Sequence, residues 1–184
     1  MTDIPSKDSN YEIKFRGRFL HFAQKGHWEF ATREHNSEVA VIIPVTEAKE
    51  LVLVEQHRIP LGKATIELPA GLIGDVAEHA NETVATGAAR ELEEETGFRP
   101  GSMRELIKTP TSAGLTDETA VFFLAENLQQ VSAGGGDETE DIQVHVIALT
   151  EVCAWLMQQY RAGKAVDPKI YSALYWLEHP EALA

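Results

Sequence analysis

The sequence predicts an α+β fold organised around a mixed sheet. Runs rich in Val and Ile dominate the first half, helical patterns dominate the second, and one helix interrupts the strands. Taken in order, residues 1–9 read as a polar leader. Residues 11–23 (YEIKFRGRFLHFA) and 28–33 (WEFATR), with Lys25-Gly26 between them, read as a hairpin. Strands follow at 38–45 (EVAVIIPV), 50–58 (ELVLVEQHR) and 64–68 (ATIEL). The first of these is almost continuously apolar, as a strand buried on both faces must be. A helix is expected over 82–96, stopped by Gly97, because glycine accepts the left-handed conformation that ends a helix. Further strands are expected at 103–109, 119–125 and 142–148, and helices at 151–161 and 168–179. The run SAGGGD at 132–137 reads as a flexible loop.

The 184 residues suit one ordinary domain, and 43% hydrophobic with 24% charged residues exclude global disorder. Sixteen Lys and Arg stand against 29 Asp and Glu, for a net charge of -13. A surface of that sign repels nucleic-acid backbones and anionic lipid, so neither is an expected partner. A small anion can bind only where cations gather. Cys153, the one cysteine, allows no internal disulfide and reads as a small apolar residue. The polar start and the lack of a long apolar run predict no targeting peptide and no membrane span, hence a cytoplasmic protein.

The segment from Gly71 to Phe98 is the one that carries chemistry: GLIGDVAEHANETVATGAARELEEETGF. At about 100° per residue, Val84, Ala85, Ala88, Ala89 and Leu92 share one arc, the expected core face. Glu91 and Glu95 are one turn apart, Glu94 lies beside them, and Glu95 falls at the edge of the apolar arc. Like charges at this spacing repel, and a carboxylate beside a buried stripe is costly without a partner. Two readings answer this. One is a solvated acidic face. The other is a site where Arg90 and a hard divalent cation, Mg²⁺ or Mn²⁺, balance the oxygens.

The run from Arg90 to Phe98, RELEEETGF, is similar to the second half of the Nudix box, REUxEExGU with U aliphatic or aromatic. Glu82 precedes Arg90 by the eight residues the box requires, and Glu67-Leu68-Pro69-Ala70-Gly71 resembles the ELPAG turn of its ADP-sugar pyrophosphatase branch. Ten residues separate Gly71 from Glu82 where the box has five, which reads as an insertion around residues 75–80. The resemblance spans roughly residues 38–179. It implies an α/β/α sandwich over 38–184 with an N-terminal β extension at 1–37. It also implies hydrolysis of the pyrophosphate bond of nucleoside diphosphate sugars, giving a nucleoside monophosphate and a sugar phosphate.

By the same likeness Glu91, Glu94, Glu95 and the backbone carbonyl of Ala70 bind two to three divalent ions, and Arg90 orients the glutamates. The acidic run 137–141 resembles a mobile loop that supplies the base. Glu138 is then the residue that activates water and Glu140 the one that completes the metal shell, with the two roles exchangeable. Metals reverse the local sign, so an acidic protein can hold an acidic substrate.

The resemblance also implies substrate contacts. Arg58 ends a strand where the family places an arginine that touches phosphate; the other reading is a surface ion pair. Glu67 reads as a phosphate-site carboxylate or one that supports the site from behind, and Gly71 as the loop glycine of the box. Trp28 either stacks on a nucleobase or packs in a dimer interface or core. The segment Thr111 to Glu118 (TSAGLTDE) resembles the TSPG loop of ADP-ribose enzymes, with Ala113 in place of the proline that marks ADP-ribose preference. In the resembling enzymes such an extension exchanges with a second subunit, so the resemblance implies a homodimer with Trp28 near the base site. Two other readings remain: a non-catalytic metabolite sensor, and a hydrolase of dinucleoside polyphosphates or damaged nucleotides.

Overall fold

A computed structural model describes residues 10–33, 38–74, 82–136 and 141–183. Its N-terminal part is a three-stranded antiparallel meander of β1 (Glu12–Arg16), β2 (His21–Lys25) and β3 (Trp28–Thr32). The expected first arm therefore divides in two. Gly17 donates its N–H to Leu20 O at 2.9 Å, closing a turn inside the run, and a Cβ on Gly17 would sit 2.5 Å from that oxygen. The second connection is the expected hairpin, with Gly26 at φ 61°.

Two four-stranded sheets follow. The first combines β7 (Ala70–Ile73), β4 (Glu38–Pro44), β10 (Thr119–Glu126) and β9 (Ser102–Pro110) in that order. Its β4–β10 pair is parallel and the others antiparallel, so the sheet is mixed as expected. The second has the order β12 (Gln143–Ala148), β5 (Glu50–Arg58), β6 (Lys63–Glu67) and β13 (Ala165–Val166). A two-residue pair, β8 (Phe98–Arg99) with β11 (Gln129–Gln130), completes the strands. The short strands β7, β8, β11 and β13 were not foreseen, because two to four residues carry no readable alternation.

Alternation along β4 explains the layering. Ala40 and Ile42 face α1 (Val84–Thr96) in one core with Ala88, Leu92, Val121 and Phe123. Val41 and Ile43 face the other way, into a core with Leu51, Leu53, Ile66 and Phe122. That core is closed by α2 (Val152–Arg161) through Val152 and Leu156, and by α3 (Lys169–Glu178) through Ile170 and Ala173. Helices on both sides of the sheets make an α/β/α arrangement. Each fully buried Leu, Ile or Phe contributes about 1.5–3 kcal/mol. Cys153, read as a small apolar residue, lies on the exposed side of α2. Among the described residues, no helix is long and apolar enough to cross a membrane.

Candidate active site

Helix α1 begins where Thr83 accepts the N–H of Thr86 at its Oγ1, and it ends at Gly97, whose φ is 75° and whose N–H reaches Glu93 O. Between these caps the helical period puts Arg90, Glu91, Glu94 and Glu95 toward β7. Ala88 and Leu92 are fully buried as expected, while Val84, Ala85 and Ala89 are only partly so. Glu95 lies inside the buried face, 3% exposed, not at its edge.

Arg90 is the hub of the acidic cluster. Its Nη1 donates to Glu94 Oε2 at 2.7 Å, its Nη2 lies 2.8 Å from Glu91 Oε1, and its Nε lies 3.6 Å from Glu82 Oε2. Partial burial opposes the guanidinium charge, but Glu91, Glu94 and Glu82 together outweigh it and raise the Arg90 pKa. One positive charge thus faces three carboxylates, and Glu95 adds a fourth.

Strand β7 meets this cluster with its backbone. The Ala70 N–H donates to Glu95 Oε2 at 3.2 Å, which ties a buried carboxylate to the turn after Pro69. Beside it, a Cβ on Gly71 would lie 2.2 Å from Glu91 Cδ and 2.4 Å from its Oε2. Gly71 therefore belongs to a strand, and its missing side chain is the space in which the Glu91 carboxylate sits.

These groups open onto a cleft of about 590 Å³ lined by Arg58, Glu67, Ala70, Gly71, Arg90, Glu91, Glu94 and Glu95. Arg58 grips Glu67 with two parallel bonds, Nε to Oε1 at 2.8 Å and Nη2 to Oε2 at 2.6 Å, across the β5–β6 ladder. Eight of the expected site residues thus share one cavity. The same walls carry Arg33, Thr111, Glu118 and Lys169, none of them expected as a site residue. Thr111 and Glu118 are the two ends of the TSPG-like segment. Nothing local marks Arg33 or Lys169, since each arrives from an element distant in sequence.

Trp28 stands apart. It is 56% exposed and lines a separate pocket of about 280 Å³ with Lys25, Phe30, Ala113, Gly114, Thr116 and Asp117. The two cavities share one loop: Ala113, Gly114, Thr116 and Asp117 face the Trp28 pocket, while Thr111 and Glu118 face the cleft. Glu138 and Glu140, like the insertion at 75–80, lie outside the described residues.

The segment leading to Glu138 is docked more firmly than a free loop. Val131 N–H reaches Gly97 O at 2.8 Å, Gly135 N–H reaches Glu95 O at 2.9 Å, and Gly136 N–H reaches Glu94 O at 3.1 Å. These bonds satisfy carbonyls that the end of α1 leaves open. The approach requires glycine, because a Cβ on Gly134 would lie 2.4 Å from the Thr96 carbonyl carbon. The expectation of a flexible loop is corrected for residues 132–136: helix-end carbonyls need donors, and glycine lets the backbone come close enough to supply them.

The expected divalent cation fits the chemistry of this donor set. Every candidate ligand is an oxygen, the cluster of Glu82, Glu91 and Glu94 exceeds the Arg90 charge, and Gly71 keeps room at Glu91. In the geometry seen, Glu91 and Glu94 turn onto Arg90, and among the described residues no three His, Cys, Asp or Glu converge on a single point.

Comparison with known proteins agrees with this construction. The NUDIX domain matches residues 36–172. A methanol dehydrogenase activator of Bacillus methanolicus is 35% identical over 150 residues, covering 81% of this chain and 76% of that one. An ADP-ribose pyrophosphatase of Bacillus subtilis (strain 168) is 32% identical over 151 residues, covering 82% and 76%. A GDP-mannose pyrophosphatase of Citrobacter koseri is 30% identical over 142 residues, covering 72% and 71%. In three dimensions the chain resembles a solved ADP compounds hydrolase, with TM-score 0.66 at 20% identity over 92% of this chain and 90% of that one; this is a likeness of fold. With its glutamate helix facing the ELPAG turn across one cleft, and with the domain matched over most of its length, this chain belongs to the Nudix hydrolase family.

Proposed function

We propose that the protein hydrolyses the pyrophosphate bond of nucleoside diphosphate sugars of the ADP-ribose or ADP-glucose kind. Water adds to one phosphorus, the bridging P–O bond breaks, and the bridging oxygen leaves with the other phosphate. The products are a nucleoside monophosphate and a sugar phosphate. The observation that carries this reading is the two-signed lining of the cleft: acids of α1 on one wall, and Arg33, Arg58 and Lys169 on the others. A diphosphate needs cations on both sides, and acids alone repel it. The relatives named ADP-ribose pyrophosphatase and GDP-mannose pyrophosphatase support the same substrate class.

Glu91, Glu94, Glu95 and the Ala70 carbonyl are the groups to hold Mg²⁺ or Mn²⁺, two to three ions by family likeness. Bound there, such ions supply charge neutralisation and lower the pKa of a coordinated water. Arg90 keeps Glu91 and Glu94 oriented, and Arg58, aligned by Glu67, faces the phosphates. Glu138 takes the proton of the attacking water and Glu140 completes the metal shell, or the two exchange roles. The extension at 1–37 supports a homodimer, in which Trp28 contributes to the nucleobase pocket.

The test is a hydrolysis screen over nucleotide sugars with product identification, run with and without Mg²⁺. Metal-dependent release of AMP with a sugar phosphate supports the proposal, while binding without turnover overturns it.

A further inference from the structure

A further cavity, of about 360 Å³, shares no lining residue with the cleft or with the Trp28 pocket. Leu106 of β9, Leu124 of β10, Leu149, and Trp176 and Leu177 of α3 form its walls. Each packs against the core on one side and stays only half-buried, so apolar surface is left facing the open space. Trp176 is fixed by an edge-to-face contact with Phe122, the ring centroids 5.1 Å apart. Small-molecule sites span about 300–1,000 Å³ and are mainly apolar, with a few polar groups that orient the ligand.

Two cations stand at this apolar space. Arg104 pairs across the β9–β10 ladder with Leu124, and Leu124 pairs in turn with Ile43 of β4. An arginine thus completes a row that is otherwise apolar. Lys49 ends the turn between β4 and β5 at φ 60°, a left-handed conformation that glycine fills more readily. Its carbonyl accepts the Leu149 N–H at 3.0 Å, which ties the turn to a wall of the cavity. Among the described residues neither Lys49 nor Arg104 makes an ion pair or a side-chain hydrogen bond, in a chain of net charge -13. Glu126 is the one acid among the described residues of the lining, so two positive charges stand against one negative.

We infer that this cavity binds a small aliphatic carboxylate, its chain against Leu124, Leu149 and Trp176 and its carboxylate toward Lys49 and Arg104. The planar fork of an arginine matches two carboxylate oxygens, and a lysine adds a compact charge beside it. Covering the half-buried walls supplies the hydrophobic part of the binding. A bare phosphate or a sugar would leave those walls wet, and an amine would meet charge of its own sign. The inference does not depend on the proposed hydrolysis, because the two sites have no residue in common.

The experiment titrates octanoate, kept below its micelle concentration, into the wild type, the double variant Lys49→Gln with Arg104→Gln, Glu126→Gln and Trp176→Phe. Calorimetry and tryptophan emission are the readouts, and octylammonium is the control of opposite charge. One saturable octanoate site is expected, with affinity rising about fourfold per methylene from hexanoate to decanoate, the scale of one buried methylene. The double variant should weaken octanoate about tenfold, the scale of a hydrogen bond to a charged group, whereas Glu126→Gln should tighten it. Octylammonium should bind at least about tenfold more weakly than octanoate, and the emission change should vanish in Trp176→Phe. Lys49, Arg104 and Glu126 are exposed, so their variants keep the test open even if Trp176→Phe does not fold. Absence of saturable octanoate binding, equal affinity for octylammonium, or wild-type affinity in the double variant overturns the inference. The last result would leave Arg104 as a charge that guards the edge strand β9 against pairing. An emission change that survives in Trp176→Phe also overturns it, by placing the bound chain elsewhere.

Discussion

The α-carbon of Gly71 and the carboxylate of Glu91 are so close that even a methyl group cannot stand between them: a Cβ would be 2.2 Å from Glu91 Cδ. Glu91 in turn lies 2.8 Å from Arg90 through its other oxygen, so the backbone of β7 and the guanidinium hold one carboxylate from opposite sides. Gly71→Ala should push Glu91 out of this position. Overpacking of this kind costs about 1–3 kcal/mol, and here the flexible glutamate absorbs part of it. The expected result is a small drop in Tm with a fall in kcat of about tenfold or more, checked by thermal melts and steady-state kinetics. Activity at the wild-type level would mean that Glu91 needs no fixed place.

Glu95→Gln keeps the shape of a buried side chain and its bond from the Ala70 N–H while deleting the charge. Metal-dependent turnover should fall by about 100-fold, or about 2.7 kcal/mol in barrier height, with Tm changed by only a few degrees. Unchanged Mg²⁺-dependent kinetics would remove Glu95 from the ligand set.

The Arg58–Glu67 fork predicts a coupling. Arg58→Ala leaves the buried Glu67 carboxylate without its bidentate partner. Arg58 itself is part-exposed, so solvent limits the loss to about 1–2 kcal/mol. Arg58→Ala with Glu67→Gln should cost less than the sum of the single changes. Denaturant titrations in a double-mutant cycle read this directly, and strict additivity would contradict the pairing.

Stability should also respond to acid through Glu55, remote from the cleft. Burial opposes its ionisation, but hydrogen bonds and charge from Lys164 (2.8 Å) and His145 (2.9 Å) prevail and hold its pKa below the ordinary 4.5. A depressed carboxylate pKa contributes stability above the unfolded value and loses it as pH falls through the folded one. The stability gap between wild type and Glu55→Gln should therefore shrink as pH falls below 4.5. Melting curves across that range decide the matter; a gap that widens on acidification has the wrong sign.

Gly134→Ala tests the docked segment. Its φ of 68° and the 2.4 Å approach to Thr96 both exclude a side chain. A loss of about 1–3 kcal/mol is expected, with a larger proportional loss of kcat, because Glu138, the proposed base, follows this anchor by four residues in the chain. Activity that falls only as far as stability does would show the anchor to be structural alone.

The period of α1, its Gly97 cap and the grouping of Arg90 with Glu91, Glu94 and Glu95 were legible in the chain itself; the Thr83 cap was not. The strands at 38–44 and 50–58 were legible too. All of these follow from backbone geometry over a few residues, where spacing dictates which side chains share a face. Tertiary structure decided the rest. It carried Glu95 from the rim into the interior, paired Arg58 with Glu67, gave Gly71 its purpose, separated Trp28 from the cleft, and laid residues 131–136 on the end of the helix. It also brought in Arg33 and Lys169. These relations join positions far apart in the chain; Arg33 and Glu118 are 85 residues apart. They exist because sheets bury both faces and helix ends must satisfy their carbonyls, demands that partners far along the chain meet and that no local pattern names.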